Sequence, residues 1–186
     1  EFRRVLFRSR IPCIARWPGV IEPGSRCDQI VCLSDLMATC ADFAGNDLPD
    51  DAGEDSFSMM PLFTDPSQPV RDHVVHHSIT GKFAIRNKRW KLVLCPGSGG
   101  WTLSDAKAAE DGLPLVQLYD MQNDPGEKVN LHEREPRLVK QMLARLKQLV
   151  AEGRSTPGEP QSNDVDVDIW KLESMPTVDP KQLDDY

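Results

Sequence analysis

The stretch HVVHHSITGKFAIRNKRWKLVL, residues 73–94, constrains the fold more than any other part of the chain. Apolar and polar side chains alternate along it with a period of two, the period of a β-strand whose side chains point to opposite faces in turn. Two short breaks, Thr80-Gly81 and Asn87-Lys88, are hairpin-type turns and leave no room for a crossover, so neighbouring strands must run antiparallel. Strands are expected at 73–78, 82–86 and 89–95, and LVQLYDM at 115–121 adds a fourth after a polar excursion. EPRLVKQMLARLKQLVAEG then places Leu138, Val139, Met142, Leu146, Leu149 and Val150 on one helical stripe. Pro136 sits near its first turn and Gly153 after its last, so a helix over 136–152 is expected to cover one face of the sheet. Residues 72–153 thus read as one antiparallel-sheet subdomain.

The preceding part has a different grammar. PCIARW carries a short apolar strand from Cys13 to Trp17, and Pro18-Gly19 and Pro23-Gly24 punctuate a turn region. Ser34 suits a helix N-cap, with Asp35 opposing the positive end of the helix dipole. Leu36, Met37, Cys40, Phe43 and Ala44 form one apolar face, and Gly45 can terminate the helix. Residues 10–49 therefore read as the trailing strand and helix of an α/β sheet. The stretch from 46 to 71 is rich in Pro, Asp and Ser without a steady period, and 50–71 is expected to be a connection. Residues 154–186 form a polar, acidic tail, expected to be extended or partly disordered except where Val165, Val167, Ile169 and Trp170 offer an anchor.

A chain of 186 residues can bury a real core. Its formal charge of −7 places +2 on residues 1–9, −5 on 154–186 and the rest between, which argues against a phosphate-backbone partner and so against nucleic acid. No run approaches the roughly eighteen apolar residues of a membrane span. The cysteines Cys13, Cys27, Cys32, Cys40 and Cys95 are odd in number and lack CxxC spacing, so zinc and a full disulfide framework are disfavoured and most are expected to be small core residues. The opening EFRRVLFRS has no apolar run after its basic residues, so it is not a secretory signal. It is instead the translation of a string resembling a sequencing-adapter oligonucleotide. Residues 1–9 are therefore read as an artefact, with the native chain entering at about Arg10.

Few residues offer chemistry. Cys95 leads into Pro96-Gly97-Ser98-Gly99, a strand end running into a turn with no base indicated beside it. Strand alternation puts His73 and His77 on the side opposite His76. Two roles are open to these histidines, a hydrogen-bonded place within the sheet or donation to an anionic ligand. Asp120-Met121-Gln122-Asn123-Asp124-Pro125-Gly126-Glu127 has oxygen-rich spacing faintly like a calcium loop but lacks the rest of that pattern, and a turn is the expected reading.

Four stretches in this order, RIPCIARWPGVIEPG, SDLMATCADFAG, GKFAIRNKRWKLVL and LYDMQNDPGEKVNL, resemble the C-terminal part of the sulfatases, the arylsulfatase-like branch of the alkaline phosphatase superfamily. The likeness runs from Arg10 to about Gly153, and the tail is similar to that of one bacterial subgroup. It implies an α/β fold: the last strand and helix of the large domain, then a subdomain of four antiparallel strands packed on a C-terminal helix. It also implies hydrolysis of sulfate esters by a formylglycine made from cysteine or serine in a Cys-x-Pro-Ser-Arg type motif, with calcium (Ca2+) polarising the sulfate. No such motif occurs here, and of the family's Glu-Gly-Gly-x-Arg-x-Pro stretch only Arg10-x-Pro12 is present. The catalytic centre is thus expected ahead of Arg10, with no catalytic or metal-binding residue in this chain. His76, His77 and the Cys95–Trp101 loop are the candidates for bordering the substrate cleft, and the partner would be a sulfated small molecule or carbohydrate. The resemblance suggests a periplasmic or extracellular setting. Two alternatives are a phosphoesterase or phosphonate hydrolase of the same superfamily and a non-catalytic binding or packing module.

Overall fold

The computed structural model describes residues 12–175, 178–183 and 186; the 1–9 prefix lies outside them. The chain divides into two compact units. One comprises residues 75–148 together with the C-terminal segment from residue 165, and the other residues 12–74 with 149–164.

The first unit holds most of the sheet. Strands β1 (His73–His77), β2 (Phe83–Asn87), β3 (Trp90–Val93) and β4 (Gln117–Asp120) form one sheet in the order β1-β2-β3-β4. β2 and β3 pair antiparallel, with Ala84 opposite Val93, Ile85 opposite Leu92 and Arg86 opposite Lys91. β3 and β4 continue the meander, with Lys91 opposite Tyr119, Leu92 opposite Leu118 and Val93 opposite Gln117. The turns behave as their residues dictate. Gly81 takes a positive φ of 77°, and the Asn87 carboxamide oxygen accepts from the backbone N–H groups of Arg89 and Trp90.

This register sorts the side chains into two faces. Ile85, Leu92 and Leu118 share one face and are essentially inaccessible. The long helix Pro136–Glu152, α4 below, buries Val139, Met142, Leu143 and Leu146. These two apolar surfaces make the core of the unit, and each large side chain fully removed from water contributes about 1.5–3 kcal/mol. The opposite face carries Ala84, Arg86, Lys91, Val93, Gln117 and Tyr119, and it is the face that builds the site described below.

The polar excursion between β3 and β4 contains a helix, α3 (Asp105–Glu110), capped by the Ser104 hydroxyl, which accepts from the Lys107 N–H. The tail from 165 is more ordered than its composition suggested. Ile169, Trp170, Met175 and Val178 are buried, whereas Val165 is exposed. Lys82 explains part of this: its side chain is wholly inaccessible and its ammonium donates to the carbonyls of Trp170 and Lys171, with Asp105 Oδ2 at 3.5 Å. Those three acceptors match the three N–H groups of a lysine.

The second unit overturns one expectation. Cys13–Trp17 forms no strand; it is extended without a ladder, and Ile14 is 93% exposed. A strand needs a neighbour to take its N–H and C=O groups, and none of the described residues supplies one. Helix α1 (Asp35–Phe43) forms as expected, and among the described residues its apolar side is left largely uncovered. Leu36, Met37 and Phe43 are exposed while Asp35 and Thr39 are buried. The polar side of α1 is held by hydrogen bonds. Asp35 accepts from the N–H groups of Cys32 and Phe57 and pairs with Arg71 at 3.1 Å, and Thr39 Oγ1 accepts from Met59 N–H. Ser34, expected to cap with its hydroxyl, makes no such bond. The connection contains a short helix, α2 (Met60–Thr64), and buries Met59 and Leu62.

The cysteine expectation fails too. Cys13, Cys27 and Cys40 are exposed and Cys32 is half-buried, leaving Cys95 alone in the interior. The segment after α4 is tied down by Arg154, whose guanidinium donates to Asp50 Oδ1 and to the carbonyls of Thr156, Pro157 and Glu159.

Candidate functional site

The polar face of the sheet lines a cavity of about 430 Å³, within the roughly 300–1,000 Å³ of typical small-ligand sites. The strands supply its floor through Ala84, Lys91, Val93, Gln117 and Tyr119, and β1 brings in both His76 and His77. Of the histidines singled out from the sequence, these two are gathered into one site and His73 is not. The Cys95–Trp101 loop also lines the cavity, through Gly97, Ser98, Gly99 and Trp101.

The loop is held at several points. Ser98 N–H donates to the Leu103 carbonyl, the Ser98 hydroxyl accepts from Leu103 N–H, and Gly97 N–H donates to Asp105 Oδ1. Gln117 reaches from β4 to donate its carboxamide to the carbonyls of Cys95 and Gly97. Glycine is required at 97 because a Cβ there would lie 2.7 Å from the Leu103 carbonyl oxygen. Cys95 itself is buried, and burial pushes its thiol up to about 12. A thiol that stays protonated at neutral pH is no nucleophile, so the strand-end reading of this cysteine is the one the geometry supports.

Burial and charge tune the rest. His76 is half-buried, and its pKa is lowered to about 4, first by loss of hydration and then by the nearby charges of Lys91 and Arg86 and by His77. It is therefore a neutral imidazole at physiological pH, able to donate one hydrogen bond and accept another but not to supply positive charge. His77 is exposed and its ring lies 4.1 Å from that of Phe83. Lys91 is buried, which lowers its pKa, and Glu127 opposes that shift by accepting two bonds from the ammonium at 2.8 and 2.9 Å. Glu127 makes this reach from a left-handed backbone, φ 54°. That conformation costs roughly 1–3 kcal/mol in a residue with a Cβ. Burial likewise raises the pKa of the Tyr119 phenol.

Lys82, Lys91, Gln117, Tyr119 and Glu127 were not singled out from the sequence. Strand alternation carried the signal for the β3 and β4 members, since Lys91, Val93, Gln117 and Tyr119 are each two residues from a partner on the same face. For Glu127 no local signal exists, because its partner is 36 residues away.

The loop after β4 is a turn. Asp120 accepts from the N–H groups of Gln122 and Asn123 and from Arg89, and Asp124 Oδ2 accepts from Lys128 and Val129 N–H. Arg89 and the Asn123 side chain hold the Asp120 carboxyl down at about 2. Among the described residues no group of three or more His, Cys, Asp or Glu side chains is placed to hold a metal ion. No helix among them is long and apolar enough to cross a membrane.

An antiparallel four-stranded sheet backed by a long helix, with a cavity on one sheet face, is consistent with a C-terminal sulfatase subdomain, and comparison with known proteins agrees. The family model of the C-terminal region of N-sulphoglucosamine sulphohydrolase matches residues 3–154, and the chain belongs to this family. The ulvan-active sulfatase of Formosa agariphila is 30% identical over 145 residues, covering 66% of this chain and 28% of that protein. Arylsulfatase A of Homo sapiens is 31% identical over 151 residues, covering 75% of this chain and 29% of its own length. The chain thus spans under a third of the curated relatives it matches. A solved structure in complex with its substrate D-glucosamine-2-N,6-O-disulfate superposes with a TM-score of 0.52 at 21% identity, over 72% of this chain and 26% of that one, a likeness of fold.

Proposed function

We propose that this chain is the part of a sulfatase that grips the organic portion of a sulfate ester, and that the parent protein hydrolyses that ester. The observation that carries the reading is the cavity on the polar sheet face, where His76, His77 and the fixed 97–101 loop converge. Formylglycine and calcium, as the chemistry of the family, are assigned to the parent outside the described residues, and no step is routed through them here. A sulfated sugar is the substrate class we favour, since a relative in fold was crystallised with a disulfated glucosamine as its substrate.

In this role the chain positions and excludes water, while bond breaking belongs elsewhere. Neutral His76 directs an N–H or a lone pair at the ligand, and burial of Lys91 with Glu127 keeps the floor dry and rigid. The test is titration of the 186-residue chain with glucosamine 6-sulfate, following the His76 and His77 ring resonances. Both are expected to shift, and the His132 ring to stay in place. Unmoved His76 and His77 signals, or turnover of an aryl sulfate by this chain alone, would refute the assignment.

A further inference from the structure

We propose that the cavity holds an uncharged pyranose ring stacked on Trp101, rather than a second sulfate group of the ligand. The inference rests on the reading of the cavity as a substrate-gripping site, and it names the part of the substrate that is gripped.

Trp101 is 84% exposed although it lines the cavity, and its neighbour in the lining, Ile79, is 66% exposed. Large apolar side chains left in water at the lip of a cavity mark a contact surface. The segment that displays Trp101 is pinned on both sides, by the Ser98–Leu103 and Gly97–Asp105 bonds and by Gln117. The backbone that carries the indole is therefore fixed, so little backbone entropy is lost when a flat partner settles on it. The two faces of a pyranose differ, with C–H groups on one and hydroxyls around the edge. The indole suits the first, and Glu127, Ser78, Thr102 and the neutral His76 imidazole in the lining suit the second.

The pairing of the two lysines in the cavity lining weighs against a second anion there. Lys91 faces the cavity but is neutralised by both oxygens of Glu127. Lys82 is neutralised by Asp105, and its ammonium is turned onto the carbonyls of Trp170 and Lys171. A sulfate placed over this pair would meet the Glu127 carboxylate and would have to compete with it for the Lys91 ammonium.

The chain carries four tryptophans, so the indole N–H resonance of Trp101 is assigned by its loss in Trp101→Phe. Uncharged chitobiose, cellobiose and lactose are titrated in turn to about 20 mM, a range that captures the weak affinities of single-ring contacts. At least one is expected to shift the Trp101 indole. Its affinity is expected to change less than about twofold between about 50 and 500 mM salt, as befits contacts without net charge. Trp101→Ala is expected to weaken binding about tenfold or more and Trp101→Phe about fivefold or less, as loss or retention of a stacking face predicts. The exposed position of Trp101 leaves folding intact, which the three remaining indole signals report. Two patterns overturn the inference: no shift with any of the three disaccharides, or unchanged affinity in Trp101→Ala. If glucosamine 6-sulfate still moves His76 and His77 while the uncharged sugars do nothing, the ring-stacking inference falls and the substrate-gripping site stands. If neither class of ligand moves anything, both fall.

Discussion

Acidification tests the environment of His76 directly. The unfolded chain takes up a proton at this ring near pH 6.5, whereas the folded chain refuses it until about pH 4. Between those values the unfolded state binds more protons, so stability is complete above about pH 6.5 and is lost as the pH falls toward 4. At about 1.36 kcal/mol per pH unit the full loss is about 3 kcal/mol, of which most has appeared by about pH 4.5. Three neighbours set this cost besides lost hydration, namely Lys91, Arg86 and His77, all of which disfavour a second positive charge. The assay is urea unfolding followed by tryptophan fluorescence at a series of pH values. With a slope of about 1–3 kcal/mol per molar urea, the midpoint is expected to fall by roughly 1–3 M. His76→Gln, which retains a hydrogen-bonding side chain and cannot titrate, is expected to flatten that dependence. A His76 ring that titrates near 6.5 by NMR, or an equal acid loss in His76→Gln, would refute the reasoning.

Three further outcomes are expected. Asp35→Ala strands the buried Arg71 guanidinium and two backbone N–H groups, costing about 3–5 kcal/mol in urea unfolding; Asp35→Ala with Arg71→Met is expected to cost less than the sum of the two single changes. Iodoacetamide at about pH 8 is expected to label exposed Cys13, Cys27 and Cys40 in the folded chain and spare Cys95, as read by peptide mass mapping. Glu127→Ala leaves buried Lys91 without its carboxylate and is expected to destabilise by about 3 kcal/mol near neutral pH. That penalty shrinks as the pH is raised toward about 10, because the native lysine, already lowered by burial, then sheds its proton before the unfolded one does.

The antiparallel meander was legible because its signal is local. Alternation and turn residues placed β2 at 82–86 where the structure has Phe83–Asn87, and β3 at 89–95 where it has Trp90–Val93. The stripe of α4 was legible for the same reason, although Leu143, which is buried, was missed beside Met142. Helix α1 shows the limit of such reading. Periodicity reveals which side of a helix is apolar, but not what is available to cover it. Asp35 looked like a dipole partner at a helix start, and its real role depends on Arg71, 36 residues further on. The cavity divides in the same way: His76, His77 and the 97–101 loop, which line it, were named through the family resemblance. The Lys91–Glu127 and Lys82–Asp105 pairs instead required the fold to bring distant segments together.

The anchoring of the last twenty or so residues by Lys82 has a practical corollary for anyone trimming this protein. Cutting the chain at Gly153, where composition first turns acidic and proline-bearing, would take away two of the three acceptors around an ammonium that water cannot reach. The damage would surface far from the cut, in the hairpin between β1 and β2 and in the helix that carries Asp105, so the apparent appendage is a structural strut of the sheet it follows.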